Sequence, residues 1–196
     1  MMLLIAGLII FLGIHSIRML APAARERWRA RLGEGVWKGL YSLAALVGLV
    51  LIVWGFDIAR DQPVIVWYPP LGLRHLAALF TLLAFVLLAA AYVPGNHIKA
   101  RLGHPMLLGV KSWAFGHLLA TGMLAHLVLF GAFLAWAVAN YVVSRRRDRH
   151  DGVVYPAGRG SSTMVTVLLG IVGWLVFAFF LHGVLIGVKP FEAMMG

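Results

Sequence analysis

Histidine is the residue type that best equips this sequence for chemistry. The chain contains eight histidines and no cysteine, so it has no thiol nucleophile, no disulfide and no iron–sulfur ligand, and neutral imidazole is the commonest metal ligand in proteins. The stretch 102–122, LGHPMLLGVKSWAFGHLLATG, places His104, Lys111 and His117 in an otherwise apolar run. Because a titratable side chain inside a membrane costs about 2.5–3.5 kcal/mol, we expect at least one of the three to have a function.

The elements that must position these side chains are apolar helices. Of the 196 residues, 62% are hydrophobic and 12% are charged, and apolar runs of about 18 or more residues are typical of membrane-spanning helices. The sequence therefore predicts an all-α, polytopic integral membrane bundle of about six helices, forming a single domain over residues 1–196. The predicted spans are 2–20, 36–56, 71–93, 105–120, 123–143 and 164–188.

The distribution of charge predicts the orientation of these spans. With the N-terminus outside, the connections after the first, third and fifth spans face the cytoplasm, and they hold thirteen of the seventeen lysines and arginines. The positive-inside rule favours this arrangement, which puts both termini on the periplasmic side. The formal net charge of +10 is then explained by topology and by the anionic headgroups of the lipid bilayer, and no nucleic-acid partner is predicted.

The histidines differ in their predicted depth. At about 1.5 Å per residue, His15, His117 and His182 lie within spans, whereas His75 and His126 lie near the outer ends of theirs, where amphipathic rings are tolerated. A buried imidazole can simply hydrogen-bond to a neighbouring helix, or it can ligate a metal. Both interpretations remain open at this point.

A haem fits the available residue types better than a zinc ion does. Catalytic zinc commonly adds a carboxylate ligand, and no Asp or Glu lies inside a predicted span. Haem needs one or two axial histidines, an apolar slot and cations to meet its propionates. Lys111, two helical turns after His104, either snorkels toward the cytoplasmic surface or pairs with a propionate. Candidate residues for the slot are aromatic or small: Trp113, Phe115, Gly116, Trp136 and Phe179.

Three segments resemble the NnrU family of bacterial membrane proteins in order and spacing: FLGIHSIRML (11–20), GHPMLLGVKSWAFGHLLATG (103–122) and LFGAFLAWAV (129–138). The resemblance implies a multi-pass protein of the bacterial inner membrane associated with denitrification, with components of nitrite or nitric oxide reduction as partners. The same family extends to plant zeta-carotene isomerase, a membrane enzyme with histidine-held haem b and a polyene substrate. It therefore implies haem b as cofactor and a small gas or a lipid-soluble molecule as substrate.

The haem ligands of the isomerase resemble His15 and His117 of this sequence. The isomerase pattern has a cysteine three residues before its second histidine, where this chain has Ala114, so exchange with a thiolate ligand is not expected. Counting along the helices puts His117 about 18 Å and His15 about 8 Å from the cytoplasmic face, a difference that helix tilt only partly relieves. Alternative second ligands at a depth closer to that of His117 are His182, His75 and His126.

Two further functional questions remain open at the level of sequence. The run RLGHP resembles the RHP element of membrane methyltransferases that use S-adenosylmethionine, although Gly103 interrupts the element and the tail offers only Glu192 as an acid. The sequence also does not decide whether the protein turns over a substrate. As an enzyme it would be a haem-dependent isomerase or redox protein; as an accessory protein it would bind haem, sense nitric oxide or assist maturation of a reductase.

Overall fold

Helices make up nearly all of the regular structure. The computed structural model describes residues 1–191, and within that range the only β-type pairing is an isolated bridge between Ile65 and Met123. A π-helical turn, Phe177–Leu181, joins the last two helices to form one rod, Gly160–Ile186. The helices are α1 (Met2–Leu20), α2 (Pro22–Leu32), α3 (Glu34–Asp61), α4 (Leu71–Tyr92), α5 (His97–Leu102), α6 (Pro105–Ala120), α7 (Leu124–His150), α8 (Gly160–Val176) and α9 (His182–Ile186).

Five helical segments within residues 1–191 are long and apolar enough to cross a membrane: α1, α3, α4, α7 and the rod Gly160–Ile186. They overlap five of the predicted spans, and α3 and α7 extend well beyond the predicted ends. The remaining predicted span, 105–120, is the helix α6, but its 16 residues extend only about 24 Å, less than the roughly 30 Å of a hydrocarbon core. The structure thus supports a helical membrane protein with five candidate spans.

The outer surface of the bundle is apolar. In each candidate span no more than 22% of the most apolar window is buried inside the protein. Large side chains such as Leu43, Val53, Leu79 and Val184 are more than half exposed. A water-soluble protein rarely exposes so much contiguous apolar surface, so we infer that lipid covers these faces.

Two short helices, α2 and α5, lie where the sequence predicts loops. α2 starts with Pro22, which suits a first helical turn, and Glu26 forms an ion pair with Arg29 at 3.1 Å. α5 is capped by Asn96, whose side-chain oxygen accepts a hydrogen bond from the backbone N–H of Lys99 at 2.7 Å. Neither helix contains a buried residue. Neither therefore needs an apolar face, and helices are predicted from the periodic apolar residues that form such a face.

The long helices pack side by side in the order α3, α1, α7, α6, α4, α8. Small residues permit the closest approaches. A Cβ atom added at Gly48 of α3 would lie 2.7 Å from the backbone nitrogen of Phe11 in α1, and one added at Gly116 of α6 would lie 2.9 Å from Cβ of Phe80 in α4. Helix association in membranes depends on such contacts, and here they join α3 to α1 and α6 to α4.

The two ends of the bundle differ in charge. Three connections, α1–α2–α3, α4–α5–α6 and α7–α8, lie at one end, where the backbone N–H of Arg159 donates to the carbonyl oxygen of Gly95 at 2.8 Å. This end, called the basic end below, holds the thirteen lysines and arginines of segments 18–38, 99–101 and 145–159. At the opposite end the α3–α4 connection pairs with the α6–α7 turn, since Val66 donates to the carbonyl oxygen of Gly122 at 2.8 Å.

Candidate functional site

His117 lies on the face of α6 that packs against α7. Its Nδ1–H donates a hydrogen bond to the carbonyl oxygen of Trp113, one turn earlier, at 2.8 Å. The imidazole stacks on Phe130 of α7, with ring centroids 4.4 Å apart and 23° between the ring planes. The Trp113 ring is 5.3 Å away. The structure thus brings His117 and Trp113 into direct contact inside the bundle.

His126 also contacts Phe130, and it lies in the first turn of α7, near the opposite end of the bundle. Its ring centroid is 6.1 Å from that of Phe130 and 4.9 Å from that of Phe56 in α3. The Nδ1 atom of His126 is buried, and no hydrogen-bond partner exists for it among residues 1–191. A buried polar atom without a partner is uncommon in native proteins. His126 is therefore a second imidazole in contact with Phe130, the ring on which His117 stacks.

His15 lies in α1, toward the basic end. Its Nδ1–H donates to the carbonyl oxygen of Phe11 at 2.6 Å. Its ring centroid is 4.3 Å from the Phe11 ring, 5.5 Å from Tyr41 of α3 and 6.3 Å from Trp136 of α7, the last with perpendicular ring planes. The indole Nε1 of Trp136 is the other buried side-chain atom that has no partner within residues 1–191.

A single ring, Phe133, connects the surroundings of His15 and His117. Its centroid lies 5.9 Å from Phe11 and 5.5 Å from Trp113. All these rings form one continuous group between α1, α3, α6 and α7, called the aromatic cluster below. It consists of Phe11, His15, Tyr41, Phe56, Trp113, His117, His126, Phe130, Phe133 and Trp136.

The two histidines lie at different depths in this cluster. Along α7, His15 is level with Trp136 and His117 is level with Phe130, six residues apart, or about 9 Å along the helix axis. They do not face each other across a shared gap, because Phe11, Phe133 and Trp113 lie between them.

The hydrogen bonds fix the tautomer of both imidazoles. A carbonyl oxygen can only accept, so the neutral rings of His15 and His117 carry their proton on Nδ1 and keep a lone pair on Nε2. Neither Nε2 has a hydrogen-bond partner among residues 1–191. An Nδ1–H bonded to a backbone carbonyl is the usual second contact of a metal-ligating histidine, so each ring is preoriented to donate its Nε2 lone pair to a metal.

The other predicted site residues lie outside the aromatic cluster. His75 is exposed and bonded to the carbonyl oxygen of Leu71, and the Nδ1–H of His182 donates to the carbonyl oxygen of Val188 at 2.6 Å. Lys111 is exposed on the α4 side of α6, where it lines a groove of about 320 Å³. That groove is on a different face of α6 from Trp113 and His117. The structure therefore does not place Lys111 beside either cluster histidine.

Cations approach the aromatic cluster at both ends. At the end opposite to the basic end, the guanidinium carbon of Arg60 in α3 lies 5.5 Å from the centre of the Phe56 ring, and near His15 the cations come from α1 and α2. Arg18 follows His15 by one turn of α1, and Arg25 lies in the next helix, α2. Arg25 also pairs with Glu26, whereas Arg18 forms no ion pair among residues 1–191. A negatively charged group beside His15 would thus meet arginines at the basic end.

A groove runs beside the cluster on the lipid-facing side of α1 and α7. Its volume is about 340 Å³, and apolar side chains form nearly all of its surface. The groove is open to the outside of the bundle, and it passes within one turn of His15. It is lined by Ile5, Leu8, Ile9, Leu12, Gly13, Ser16, Val128 and Ala132.

A second polar group, at the basic end, contains His104. This residue precedes the first residue of α6, Pro105, and its Nε2 lies 2.8 Å from an Asp148 carboxylate oxygen that also accepts a hydrogen bond from Tyr155 at 2.7 Å. Arg145 approaches the same oxygen at 3.5 Å. Burial, reinforced by the bond to Asp148, raises the pKa of the Tyr155 hydroxyl. These contacts connect α6, α7 and the α7–α8 connection, which is a structural role.

Sequence reasoning missed Tyr41, Phe133 and the connection between the two histidines. One local signal was present, because each cluster histidine has an aromatic residue four positions away on its own helix: Phe11 before His15, Trp113 before His117 and Phe130 after His126. Side chains four residues apart lie on one helix face. The contacts of Tyr41 and Phe133 depend on tertiary packing and have no such signal.

Other metal chemistry finds little support in the described residues. Among residues 1–191 no group of three or more His, Asp or Glu side chains converges as a metal site would require. Glu192, the acid considered for methyl transfer, lies outside the described residues.

Comparison with known proteins gives one kind of match. A family model described as "NnrU protein" matches residues 3–190, nearly the whole chain. No curated protein and no solved structure matches significantly.

Proposed function

We propose, from the premise that this chain belongs to the NnrU family, that it binds haem b through His117 and His15 and acts in the reduction of nitrite and nitric oxide. It does so in the bacterial inner membrane, as an accessory protein that binds nitric oxide or supports a reductase. The proposal rests on one observation, which is that the same kind of hydrogen bond orients both imidazoles. In each, the Nδ1–H is held by its own helix and the Nε2 lone pair is left open inside an aromatic interior.

The types of residue around the two histidines suit this cofactor, although aromatic rings fill the space between them. Aromatic rings on four helices surround the two imidazoles, and Arg18 and Arg25 lie at the basic end, where acidic groups would be neutralised. A site shared by His15 and His117 needs Phe133 and Trp113 to change rotamer. Bound haem would supply iron that coordinates nitric oxide or exchanges an electron, while the chain's own part is to bind, orient and shield it.

We prefer His15 to His126 as the second ligand because a hydrogen bond anchors the ring of His15 and none anchors the ring of His126. The Nδ1 of His15 is anchored, so its Nε2 can be directed at a metal without loss of ring orientation. His126 has an unpartnered Nδ1 and no anchor of this kind. His182 remains within electrostatic range of His117 but has no ring contact with the aromatic cluster.

The proposal includes six spans with both termini on the periplasmic side. α5 lies at the basic end and the α6–α7 turn lies at the opposite end, so the chain of α6 must travel from one end to the other. A 16-residue helix can cross the membrane when neighbouring helices shield it and when extended chain continues from its ends. Residues 121–123 continue α6 in this way. The basic end is then the cytoplasmic side.

The proposed function is tested by the absorption spectrum of the full chain, purified in detergent from haem-replete cells. We expect a Soret band and sharp reduced α and β bands typical of two imidazole ligands, with the spectrum of the reduced protein changing when nitric oxide is added. A preparation with no Soret band, and no uptake of added haem, would contradict the cofactor assignment. A Soret band that nitric oxide leaves unchanged would contradict only the binding of nitric oxide and would leave the binding of haem in place.

A second candidate function is isomerisation of a lipid-soluble polyene, and the groove between α1 and α7 favours it. The groove opens to lipid and passes beside His15. If haem-loaded protein in vesicles isomerises a cis polyene, Gly13→Phe should block the groove and abolish the activity. Gly131→Phe is the matched control, because a Cβ at either glycine meets nothing within 4 Å and Gly131 does not line the groove. Equal activity of both variants would remove the groove from the mechanism.

A further inference from the structure

Lys111 is a charged side chain without a partner in the apolar helix α6. It lies six residues after Pro105, about 9 Å along the helix axis from the basic end, and its side chain is exposed on the outside of the bundle. Among residues 1–191 it forms no ion pair and no hydrogen bond. A charge at such a position in a membrane protein is costly unless another group neutralises it.

The carboxylates of the protein do not neutralise Lys111. Asp61 ends α3 at the opposite end of the bundle. The other five acidic side chains within residues 1–191 all form ion pairs with residues other than Lys111, and they are Glu26, Glu34, Asp57, Asp148 and Asp151. The counter-charge must therefore come from outside the described part of the chain.

Lys111 lines a groove of about 320 Å³ between α4 and α6. The rest of the lining is apolar except for the hydroxyl of Ser112, which donates to the carbonyl oxygen of Phe80 at 2.7 Å and is thereby satisfied. Two of the lining residues, Leu83 and Phe115, are 47% and 40% exposed, so the groove is open to the outside of the bundle. It thus offers one cation beside a surface that suits a hydrocarbon chain.

The same groove reaches the basic end, where Leu102 of α5 lines it. Arg101, next to Leu102, is exposed and also forms no ion pair and no hydrogen bond among the described residues. Basic residues between membrane helices, close to the level of the headgroups, are typical of sites that bind anionic lipids. The charges therefore favour an amphiphile with an anionic headgroup and an apolar chain.

We infer that the groove binds one anionic phospholipid of the surrounding bilayer, with its phosphate at Lys111 and Arg101 and one acyl chain in the apolar part of the groove. A lysine stem is flexible, so its ammonium can extend toward the level of the phosphate. A phospholipid is favoured over a fatty acid because apolar surroundings favour the neutral form of a carboxylic acid. This lipid site does not depend on haem, since it lies on a different face of α6 from His117.

The test compares two phospholipids that share their acyl chains and differ in headgroup charge. Full-length protein in detergent is titrated with phosphatidylglycerol and with phosphatidylcholine, and native mass spectrometry measures a dissociation constant for the first bound lipid. We expect wild type to bind phosphatidylglycerol more tightly. Lys111→Gln should weaken its binding about tenfold, as loss of one hydrogen bond between charged groups does, and should leave phosphatidylcholine unchanged. Lys111→Arg, which keeps the charge, should bind as wild type does.

Matched controls separate this site from general effects of the substitutions. Lys38→Gln removes an exposed lysine of α3 at the same end, which pairs with Glu34 at 2.8 Å, so its affinity for phosphatidylglycerol should equal that of wild type. Leu83→Trp fills the groove and should weaken binding. Leu79→Trp changes a 62% exposed residue one turn earlier on α4 that does not line the groove, and it should have no effect. The melting temperature of each variant identifies any that is misfolded, and the comparison of the two lipids on wild type requires no variant.

Four results would each overturn the lipid site. Equal affinities of wild type for the two lipids would show that charge does not select the occupant. Unchanged binding of phosphatidylglycerol in either Lys111→Gln or Leu83→Trp would place the lipid elsewhere on the bundle. If oleate binding depends on Lys111 and phosphatidylglycerol binding does not, the occupant is a fatty acid. If wild type is a dimer that Leu83→Trp dissociates, the occupant is a second copy of the chain. None of these results bears on haem binding, which the Soret band reports separately.

Discussion

The imidazoles of His15, His117 and His126 are prepared for different roles by their own helices. Two have Nδ1 bound to a carbonyl oxygen one turn earlier, whereas His126 follows Met123 at the start of α7, where its buried Nδ1 finds no acceptor or donor among the described residues. An unanchored ring can rotate, and an anchored ring presents one nitrogen in one direction. Because the rings of His15 and His126 differ in this way, single substitutions can test which of the two is the proposed second haem ligand.

We expect His15→Ala to convert the haem-loaded protein from a six-coordinate to a five-coordinate spectrum. The reason is that it removes an open Nε2 whose orientation the Phe11 carbonyl oxygen fixes. Low-temperature electron paramagnetic resonance of the oxidised protein reports the change as a shift from low spin to high spin. His126→Ala and the exposed His75→Ala should keep the low-spin signal. If His126→Ala gives the high-spin signal and His15→Ala does not, the second ligand is His126.

Tyr155 gives a prediction about pH that is independent of any cofactor. Its hydroxyl donates to Asp148 at 2.7 Å, so Tyr155→Phe should lower the free energy of unfolding by about 1–2 kcal/mol. Because burial raises the pKa of this hydroxyl, the unfolded chain loses the proton first as pH rises. The contribution is therefore complete below the ordinary tyrosine pKa of about 10 and is lost as pH rises through the higher folded value.

The measurement is thermal unfolding of wild type and Tyr155→Phe in detergent between pH 7 and 11. The difference should be constant up to about pH 9.5 and shrink above it. Tyr68→Phe is the control, since Tyr68 is 80% exposed. A difference that grows with rising pH would contradict a raised pKa of Tyr155 in the folded protein.

The contact between α1 and α3 is set by glycine. At Gly48 an added Cβ would lie 2.7–2.9 Å from the backbone and Cβ of Phe11, so one helix must move. Phe11 holds His15 through its carbonyl oxygen and ring, and the movement therefore reaches the candidate site. We expect Gly48→Ala to lower the melting temperature and to weaken haem binding.

Gly39→Ala is the matched control on the same helix. A Cβ there meets nothing within 4 Å, and alanine favours a helix over glycine by about 1 kcal/mol. Its melting temperature should equal or exceed that of wild type. Equal destabilisation of the two variants would mean that the loss at Gly48 comes from the backbone of α3 and not from its contact with α1.

The long elements could be predicted from the sequence because membranes demand long apolar runs. The bounds of α1 and α6 agree with the predicted spans, in the second case because Pro105 starts the helix and a Thr-Gly pair ends it. α2 and α5 were missed because both are polar and contain no buried residue. The contacts of Tyr41 and Trp136 with His15 could not be predicted from the sequence, because they depend on how α3 and α7 pack on α1.

At the scale of the whole molecule, the span count depends on whether α6 crosses the membrane. Between Val64, at the opposite end, and Val154, at the basic end, the chain passes through α4, α6 and α7. Three crossings put the two positions on different sides of the membrane, and two put them on the same side. Both side chains are more than half exposed, and the chain has no cysteine of its own.

We expect Val64→Cys to react with a membrane-impermeant maleimide in intact spheroplasts and Val154→Cys to react only after lysis. Reaction of both variants in intact spheroplasts, or of neither, would show that α6 does not span. That result would reduce the bundle to five spans and move one terminus to the other side.

The central claim is that His117 holds haem inside the bundle, and the haem content of two purified variants tests it most directly. His117→Ala removes the imidazole that stacks on Phe130, and His150→Ala removes an exposed one that pairs with Asp151. We expect the pyridine haemochrome assay to find haem in wild type and in His150→Ala, and little or none in His117→Ala of equal monodispersity. Full haem content in His117→Ala, or none in wild type after haem is added, would contradict the claim.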